Sequence, residues 1–189
     1  MTYRLYMLLH LTGVVVFLGG FLAALFLAIT ASRIGNRSIR AYAFTVINYN
    51  DKWFTPLAVL LIVGGGFGAS SAAGLPVVGT GWILWSLGLF ILSGLIFVLR
   101  ALPLQREIES LLGGIESAED VDWSDYDGLV STWKMWAIAA FLLVTTAFVL
   151  MVLKPALPAA GNAARLTQTS SSTQQHPLRL GSVPTITRS

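Results

Sequence analysis

Long apolar segments constrain the fold of this chain more than any other feature of its sequence. Residues 53–99 form 47 consecutive positions without a charged side chain, and 28 more such positions separate Arg4 from Arg33. A helix needs about 20 predominantly apolar residues to cross the hydrocarbon core of a bilayer. Because lipid cannot hydrate exposed backbone groups, such segments must be helical. The sequence therefore predicts an integral membrane protein.

Turn-forming residues divide the longest segment into two spans. The sequence AAGLPVVGTG, near its middle, is typical of a tight turn. A further apolar segment lies between Lys134 and Lys154. We therefore predict an all-α fold, a four-transmembrane-helix bundle with an acidic loop between helices 3 and 4 and a disordered C-terminal tail. The expected spans are residues 5–31, 53–73, 81–101 and 135–153.

The four spans form one membrane domain over residues 1–156, followed by a polar tail over residues 157–189. The tail is rich in Ser, Thr and Gln, and it has too little apolar content to fold. The first apolar segment is roughly twice as long as a signal-peptide core of about 7–15 residues. It is therefore interpreted as a membrane span, with a cleaved signal as the alternative.

Basic residues predict the orientation of the bundle, since Lys and Arg near the membrane are concentrated in cytoplasmic loops. The basic residues of the tail lie far from a span, so they count for less in this prediction of orientation. We predict that both termini face outward across a bacterial inner (plasma) membrane. Seven basic residues would then lie inside, namely Arg33, Arg37, Arg40, Lys52, Arg100, Arg106 and Lys134, against Arg4 and Lys154 close to the membrane outside.

Composition narrows the function classes. The nine acidic residues all fall on the predicted cytoplasmic side, and the basic residues flank apolar segments without forming a stripe. A nucleic-acid partner is therefore not expected, despite the net charge of +3. The absence of cysteine excludes disulfides, Cys-ligated metals and thiol catalysis. Neither an HExxH motif nor a carboxylate pair occurs within the spans, so no catalytic residue is predicted and no metal is specified.

His10 is the one histidine within the apolar segments, and a polar ring in hydrocarbon indicates a functional site. Gly13 falls on the same helix face and leaves space for a flat ligand or for a neighbouring helix. Two interpretations remain open. His10 is either a structural or interfacial residue that bonds another helix or headgroups, or a cofactor or proton site, with an axial ligand of haem as the cofactor case. Met151, at comparable depth, is the candidate second iron ligand, although a methionine in an apolar helix usually only packs.

The motif NDKWFTP lies at the expected start of the second span. Asp51 can cap that helix, and Pro56 in the first turn loses no hydrogen bond. The alternative is a charge cluster of Asp51 with Arg100 and Lys134, which should lie at the same depth. Such a cluster could lock the bundle or hold a proton or an anion.

Two further patterns concern packing. Small residues four apart in the sequence GGGFGA, residues 64–69, favour close helix contact, with a cofactor-accommodating face as the alternative. Tryptophans near the ends of spans are typical of an aromatic belt at the membrane surface. These are Trp53, Trp82, Trp85, Trp133 and Trp136.

Five sequence elements occur in order over residues 3–156: YMLLHLTGVVVFLGG, NDKWFTP, GW–LWSLGLF, LPLQREIE and FVLMVLKP. In these five elements, and in their order, the chain resembles an uncharacterised family of predicted integral membrane proteins. That family is placed in a wider superfamily with CopD-type copper-resistance proteins and a haem-containing protoporphyrinogen oxidase. The resemblance implies the four-helix architecture. It also implies that His10 matches a helix-one histidine of the oxidase.

The remaining functional residues of that superfamily are not matched. Arg100 is only a loose counterpart of a second basic residue of the oxidase, and the additional Met and His residues of the CopD-type proteins are missing. Enzyme activity is therefore not implied. We expect a non-catalytic or accessory membrane subunit with a ligand site at His10, in contact with the lipid bilayer and with a membrane-protein partner or a second copy. A haem-binding redox protein is the alternative, and a small-solute transporter is less favoured because the midplane carries no charge.

Overall fold

The computed structural model describes residues 1–34, 36–113 and 123–159 of the chain. This part is α-helical and contains four helical segments that are long and apolar enough to cross a membrane. The four-helix prediction is therefore confirmed. Most of the acidic loop and nearly all of the polar tail lie outside the described residues, so both remain predictions.

The helices are longer than the hydropathy pattern indicated. Two of the four columns pass without a break through a π-helical turn, in which each hydrogen bond encloses one extra residue. The first column is α1 (Thr2–Ile34). The second consists of α2 (Arg37–Tyr49), a π segment (Asn50–Phe54) and α3 (Thr55–Ala72). The third consists of α4 (Gly81–Ile96), a π segment (Phe97–Ala101) and α5 (Leu102–Gly113), and the fourth is α6 (Trp123–Leu153).

The extra helical turns all lie at one end of the bundle, where α1 ends and α6 begins. We call it the basic end, and the opposite end, where α1 begins and α6 ends, the terminal end. At the basic end, α2, α5 and the first turns of α6 bury a compact apolar cluster. These segments are amphipathic and carry charges on their outer faces, so a search for apolar segments missed them. The largest buried side chains of the cluster are Phe44, Ile47, Ile108, Tyr126, Val130 and Trp133.

Between the two ends, the four columns pack as two tight pairs, and the first pair is α1 with α3. Glycines permit this close approach. A Cβ atom at Gly65 would lie 2.5 Å from the backbone nitrogen of His10, and one at Gly13 would lie 2.8 Å from that of Ile62. Gly68 faces the ring of Tyr6, whereas Gly64 faces open space. The GGGFGA segment therefore serves close helix contact, as predicted, through Gly65 and Gly68.

The second tight pair is α4 with α6. Alanines on α6 lie against α4, and Ala140 is fully buried. The Ser93 hydroxyl of α4 donates a hydrogen bond of 2.8 Å to the Ala140 carbonyl oxygen. Interhelical bonds from serine are a common means of joining helices in lipid.

The seam between the two pairs is less densely filled. Phe17 of α1 and Phe90 of α4 meet across it with ring centroids 5.7 Å apart, and both rings line a cavity on either side. The interior is thus divided into a terminal-end cavity and a basic-end cavity.

The aromatic-belt prediction is wrong for one tryptophan. Trp53 and Trp85 are 63% and 51% exposed, as an aromatic belt requires, but only 2% of Trp133 is exposed. Trp133 lies in the core of the basic end because α6 begins well before residue 135 and carries it inside.

Candidate functional site

The terminal-end cavity lies between the two helix pairs and has a volume of about 380 Å³. This is within the range of about 300–1,000 Å³ typical of small-molecule sites, which are mostly apolar with a few polar groups. All four columns contribute to its wall. The residues that bear on its chemistry are His10, Ser86, Met151 and Lys154, and Phe17 and Phe90 close its inner side.

His10 projects from α1 and is half-buried. Its Nδ1 atom lies 2.7 Å from the carbonyl oxygen of Ile62 on α3. A carbonyl only accepts hydrogen bonds, so Nδ1 carries a proton, and in the neutral imidazole Nε2 then keeps its lone pair. The ring lies over Gly66, where a Cβ atom would be 3.0 Å from Nδ1. Helix α3 thus fixes both the orientation and the tautomer of His10.

Gly13 is placed differently from its neighbour His10. It is buried against α3, with Ile62, Leu61 and Ala58 within 3 Å of a Cβ atom built there, and it is not part of the cavity wall. The space above Gly13 was expected to hold either a flat ligand or a neighbouring helix, and in the structure it holds helix α3.

Met151 of α6 lines the same cavity as His10 and is half-buried. The sequence placed the two residues only at comparable depth. The fold brings their helices to a common cavity, because α1 and α6 lie on opposite sides of the seam between the pairs.

Two further polar residues of this cavity were not foreseen as site residues. Ser86 is 2% exposed, and its hydroxyl has no hydrogen-bond partner among the described residues. Lys154, with φ of 46°, holds its ammonium group 5.4 Å from the centre of the Trp82 ring. The sequence gives no sign of the Ser86 environment, since serines are common in packed membrane helices.

The basic-end cavity, of about 340 Å³, lies on the other side of Phe17 and Phe90. Aromatic side chains form much of its wall, including Phe21, Phe97 and Trp133. Asp51 and Thr55 also line it. Each of the two π segments contributes to this wall, and π turns inside α-helices are frequent at functional sites.

The Asp51 carboxylate is bonded to neutral groups. Oδ1 accepts from Asn50 Nδ2 and from Thr55 Oγ1, each at 3.3 Å, and Oδ2 accepts from Gln105 Nε2 at 3.0 Å. The guanidinium of Arg100 lies instead over the Trp136 ring, 5.3 Å from its centre. No described basic side chain, Lys134 included, comes within 4 Å of Asp51. The expected ion-paired cluster of Asp51, Arg100 and Lys134 is therefore not formed here, because the Asp51 carboxylate turns inward to α5.

Gln105 of α5 joins four chain segments and is completely buried. Its Nε2 group donates to Asn48 as well as to Asp51, and its Oε1 accepts from Trp133 Nε1 at 3.3 Å. Sequence reasoning missed it. The available signal was its position three residues before Ile108, which puts both on the buried face of α5.

Metal binding by a cluster of protein ligands finds no support in the described ranges, which contain no group of three His, Cys, Asp or Glu side chains suited to an ion.

Comparison with known proteins gives one match. The chain matches no curated protein and no solved structure. A family model described as "Predicted integral membrane protein (DUF2269)" matches residues 4–155, which include both cavities and all four helical columns. The protein is thus an integral membrane protein, and it belongs to the DUF2269 family.

Proposed function

We propose that this protein binds a small, largely apolar ligand in the terminal-end cavity, with His10 Nε2 as the recognising atom, and that it acts as an accessory membrane subunit without catalysis of its own. One observation carries the proposal. The Nδ1–H group of His10 is held by the Ile62 carbonyl, so its other ring nitrogen is a preoriented acceptor or ligand beside a cavity of about 380 Å³.

The cavity wall supports binding rather than acid–base chemistry. Neither Asp nor Glu is found among the described residues that line it. Its titratable side chains, Tyr3, His10 and Lys154, therefore include no carboxylate to act as a general base beside the histidine. The Ser86 hydroxyl, buried and without a partner in the described part of the chain, offers a second polar contact for a ligand.

The proposal is tested by asking what the purified protein retains. Wild type, His10→Ala and His176→Ala would be prepared in lipid nanodiscs and examined by native mass spectrometry, followed by extraction of any bound small molecule. His176, the other histidine of the chain, is the matched control. We expect a retained species in wild type and His176→Ala and its loss in His10→Ala. Retention of the same species by all three proteins, or by none, would overturn the assignment.

Haem is the second candidate ligand, favoured by the presence of Met151 on the same cavity wall as His10. A histidine whose Nδ1–H bonds a backbone carbonyl has the arrangement usual for metal-ligating imidazoles. His and Met together ligate iron in cytochromes of the c type. His10 Nε2 and the Met151 sulfur would hold the group, which would supply one-electron redox chemistry. The Ile62 carbonyl would orient the histidine.

A visible spectrum tests this candidate. Haemin would be supplied during expression and added to the purified protein. We expect a Soret band that is lost in His10→Ala and shifted in Met151→Leu. A protein that stays colourless under both conditions would refute the haem assignment while leaving the binding of a different ligand testable by mass spectrometry.

We further propose that both termini face outward in a bacterial inner membrane. In support, Arg33, Arg40, Arg100 and Lys134 gather at the basic end, as cytoplasmic loops do. The chain has no cysteine, so single cysteines report position directly. On intact cells, a membrane-impermeant maleimide should label Thr2→Cys and not Ser38→Cys, and should label both after permeabilisation. The reverse pattern would contradict this orientation.

An accessory role requires a partner, either another membrane protein or a second copy. Glu107 and Glu109 of α5 are exposed beside the acidic loop, which makes this surface our choice for the contact. Cross-linking of the two carboxylates in membranes, followed by mass spectrometry, should identify the partner. Crosslinks confined within a single chain would argue against a partner at this surface.

A further inference from the structure

The basic-end cavity contains an anionic group that the proposed ligand site does not use. Asp51 lines this cavity, and its carboxylate accepts three hydrogen bonds, all from uncharged donors. An ionised carboxylate offers about four acceptor positions, so one remains for another group. Among the side chains that the structure describes, no Lys or Arg pairs with it. Asp51 is therefore positioned by the fold and has no cationic partner among the described side chains.

The surroundings of Asp51 indicate what would neutralise it. A charge moved out of water is costly unless an opposite charge accompanies it. The rings of Phe21, Phe97 and Trp133 line the same cavity, and aromatic faces attract cations through their negative quadrupole. The rest of the wall is mostly apolar, and its other polar side chains are Asn50, Thr55 and Ser93. It is thus unlike the oxygen-rich shell that an inorganic cation such as Ca²⁺ requires.

We propose that the basic-end cavity is a binding site for an organic ammonium ion with an apolar body. Asp51 supplies the opposite charge, and the aromatic rings contact the alkylated nitrogen and the body of the ligand. Gln105, completely buried and bonded to Asp51, Asn48 and Trp133 at once, holds the carboxylate and one of the rings in fixed relation. The cavity volume of about 340 Å³ is that of a small-molecule site.

Both π segments contribute to the wall of this cavity, since Asn50–Phe54 carries Asp51 and Phe97–Ala101 carries Phe97. Acidic and aromatic side chains therefore reach the cavity from two helical columns.

The test compares two probes of the same shape, benzyltrimethylammonium and neopentylbenzene, which differ in having a charged nitrogen or a neutral carbon at the branch point. Binding to wild-type protein in nanodiscs would be followed by Trp fluorescence and calorimetry. We expect the cation to bind about tenfold or more tightly than its neutral counterpart. Equal binding of the two probes, or binding of neither, would overturn the proposal.

Variants identify the residue responsible. Asp51→Asn keeps the size and planarity of the side chain and should remove the preference for the cation, whereas Asp125→Asn, which deletes an exposed charge near the same end, should leave the preference unchanged. Phe97→Leu should weaken cation binding more than neutral binding. A preference that survives in Asp51→Asn would refute the role of the carboxylate. If Asp51→Asn does not fold, the wild-type probe comparison and Phe97→Leu still decide the question.

Discussion

A single methyl group at Gly65 should separate the α1–α3 pair. In the structure, a Cβ atom at this position would lie 2.5 Å from His10 N, 2.9 Å from His10 Cα and 2.9 Å from the Tyr6 carbonyl oxygen. These are backbone atoms, which cannot rotate away as a side chain can. Restoring an ordinary contact of 3.4 Å to His10 N requires the helices to move apart by about 0.9 Å.

That displacement sets the magnitude of the effect. A gap of about 0.5–1 Å forfeits a quarter to a half of the dispersion energy of each contact it opens. Overpacking of this kind costs about 1–3 kcal/mol in unfolding free energy, and sometimes more. Gly64→Ala, one residue earlier on the same helix, meets no atom within 4 Å. It should instead gain up to about 1 kcal/mol from helix propensity. Because the propensity gain applies to both positions, the two variants should differ by about 1–3 kcal/mol, the cost of the overpacking.

Unfolding of both variants in mixed micelles, followed by circular dichroism as denaturing detergent is added, would measure this difference. Because His10 lies at the contact, Gly65→Ala should also weaken the binding of any ligand that His10 holds, whereas Gly64→Ala should leave that binding unchanged. Equal stability of the two variants would show that α1 and α3 are not as close as described. The assignment of the glycines to helix contact would then be wrong.

Three further predictions concern buried polar groups. Ser86→Ala should be neutral or stabilising by up to about 2 kcal/mol, because it removes a hydroxyl without a described partner. Ser93→Ala, on the same helix and equally buried, should cost about 1 kcal/mol. A larger loss of stability for Ser86→Ala than for Ser93→Ala in unfolding titrations would contradict this. Gln105→Leu leaves several polar neighbours unsatisfied and should cost about 1–3 kcal/mol or more, so wild-type stability of this variant would refute a structural role for the cluster. Arg40, whose side chain is 9% exposed, donates to Ser32 and pairs with Asp127, which is 61% exposed. Asp127→Asn should therefore cost less than about 1 kcal/mol, whereas Arg40→Met also removes the donor to the Ser32 carbonyl and should cost about 1–3 kcal/mol; a reversed order in thermal melts would contradict the placement of Arg40.

The sequence was sufficient to predict the membrane architecture, because the hydropathy of a segment depends only on the residues of that segment. A long uncharged segment has no stable alternative to a helix in lipid. The close helix contact at the glycines could also be predicted from the local sequence, since only small residues admit a close helix neighbour. The same reasoning found His10 and the segment that carries Asp51.

Relations between helices could not be predicted in this way. Asp51, Arg100 and Lys134 share a depth, but depth does not determine the direction of a side chain, and the π segments alter that direction at Asp51. Gln105 went unnoticed because a glutamine next to charged residues is usual on a solvated helix face. Likewise, the assignment of Trp133 to the membrane surface assumed that hydropathy marks where a helix begins. The amphipathic first turns of α6 have low hydropathy, yet they are helical and buried against α2 and α5.

The division into two tight helix pairs has a mechanical consequence. Within each pair, glycine, alanine and serine contacts leave little freedom, so each pair should move as one rigid unit. The seam between the pairs is closed at its centre mainly by aromatic rings, which can turn at small cost. At the basic end the pairs are joined by the apolar cluster and by Gln105, so ligands of the terminal-end cavity should be admitted by an opening of the pairs at the terminal end, with the Phe17–Phe90 contact as the pivot.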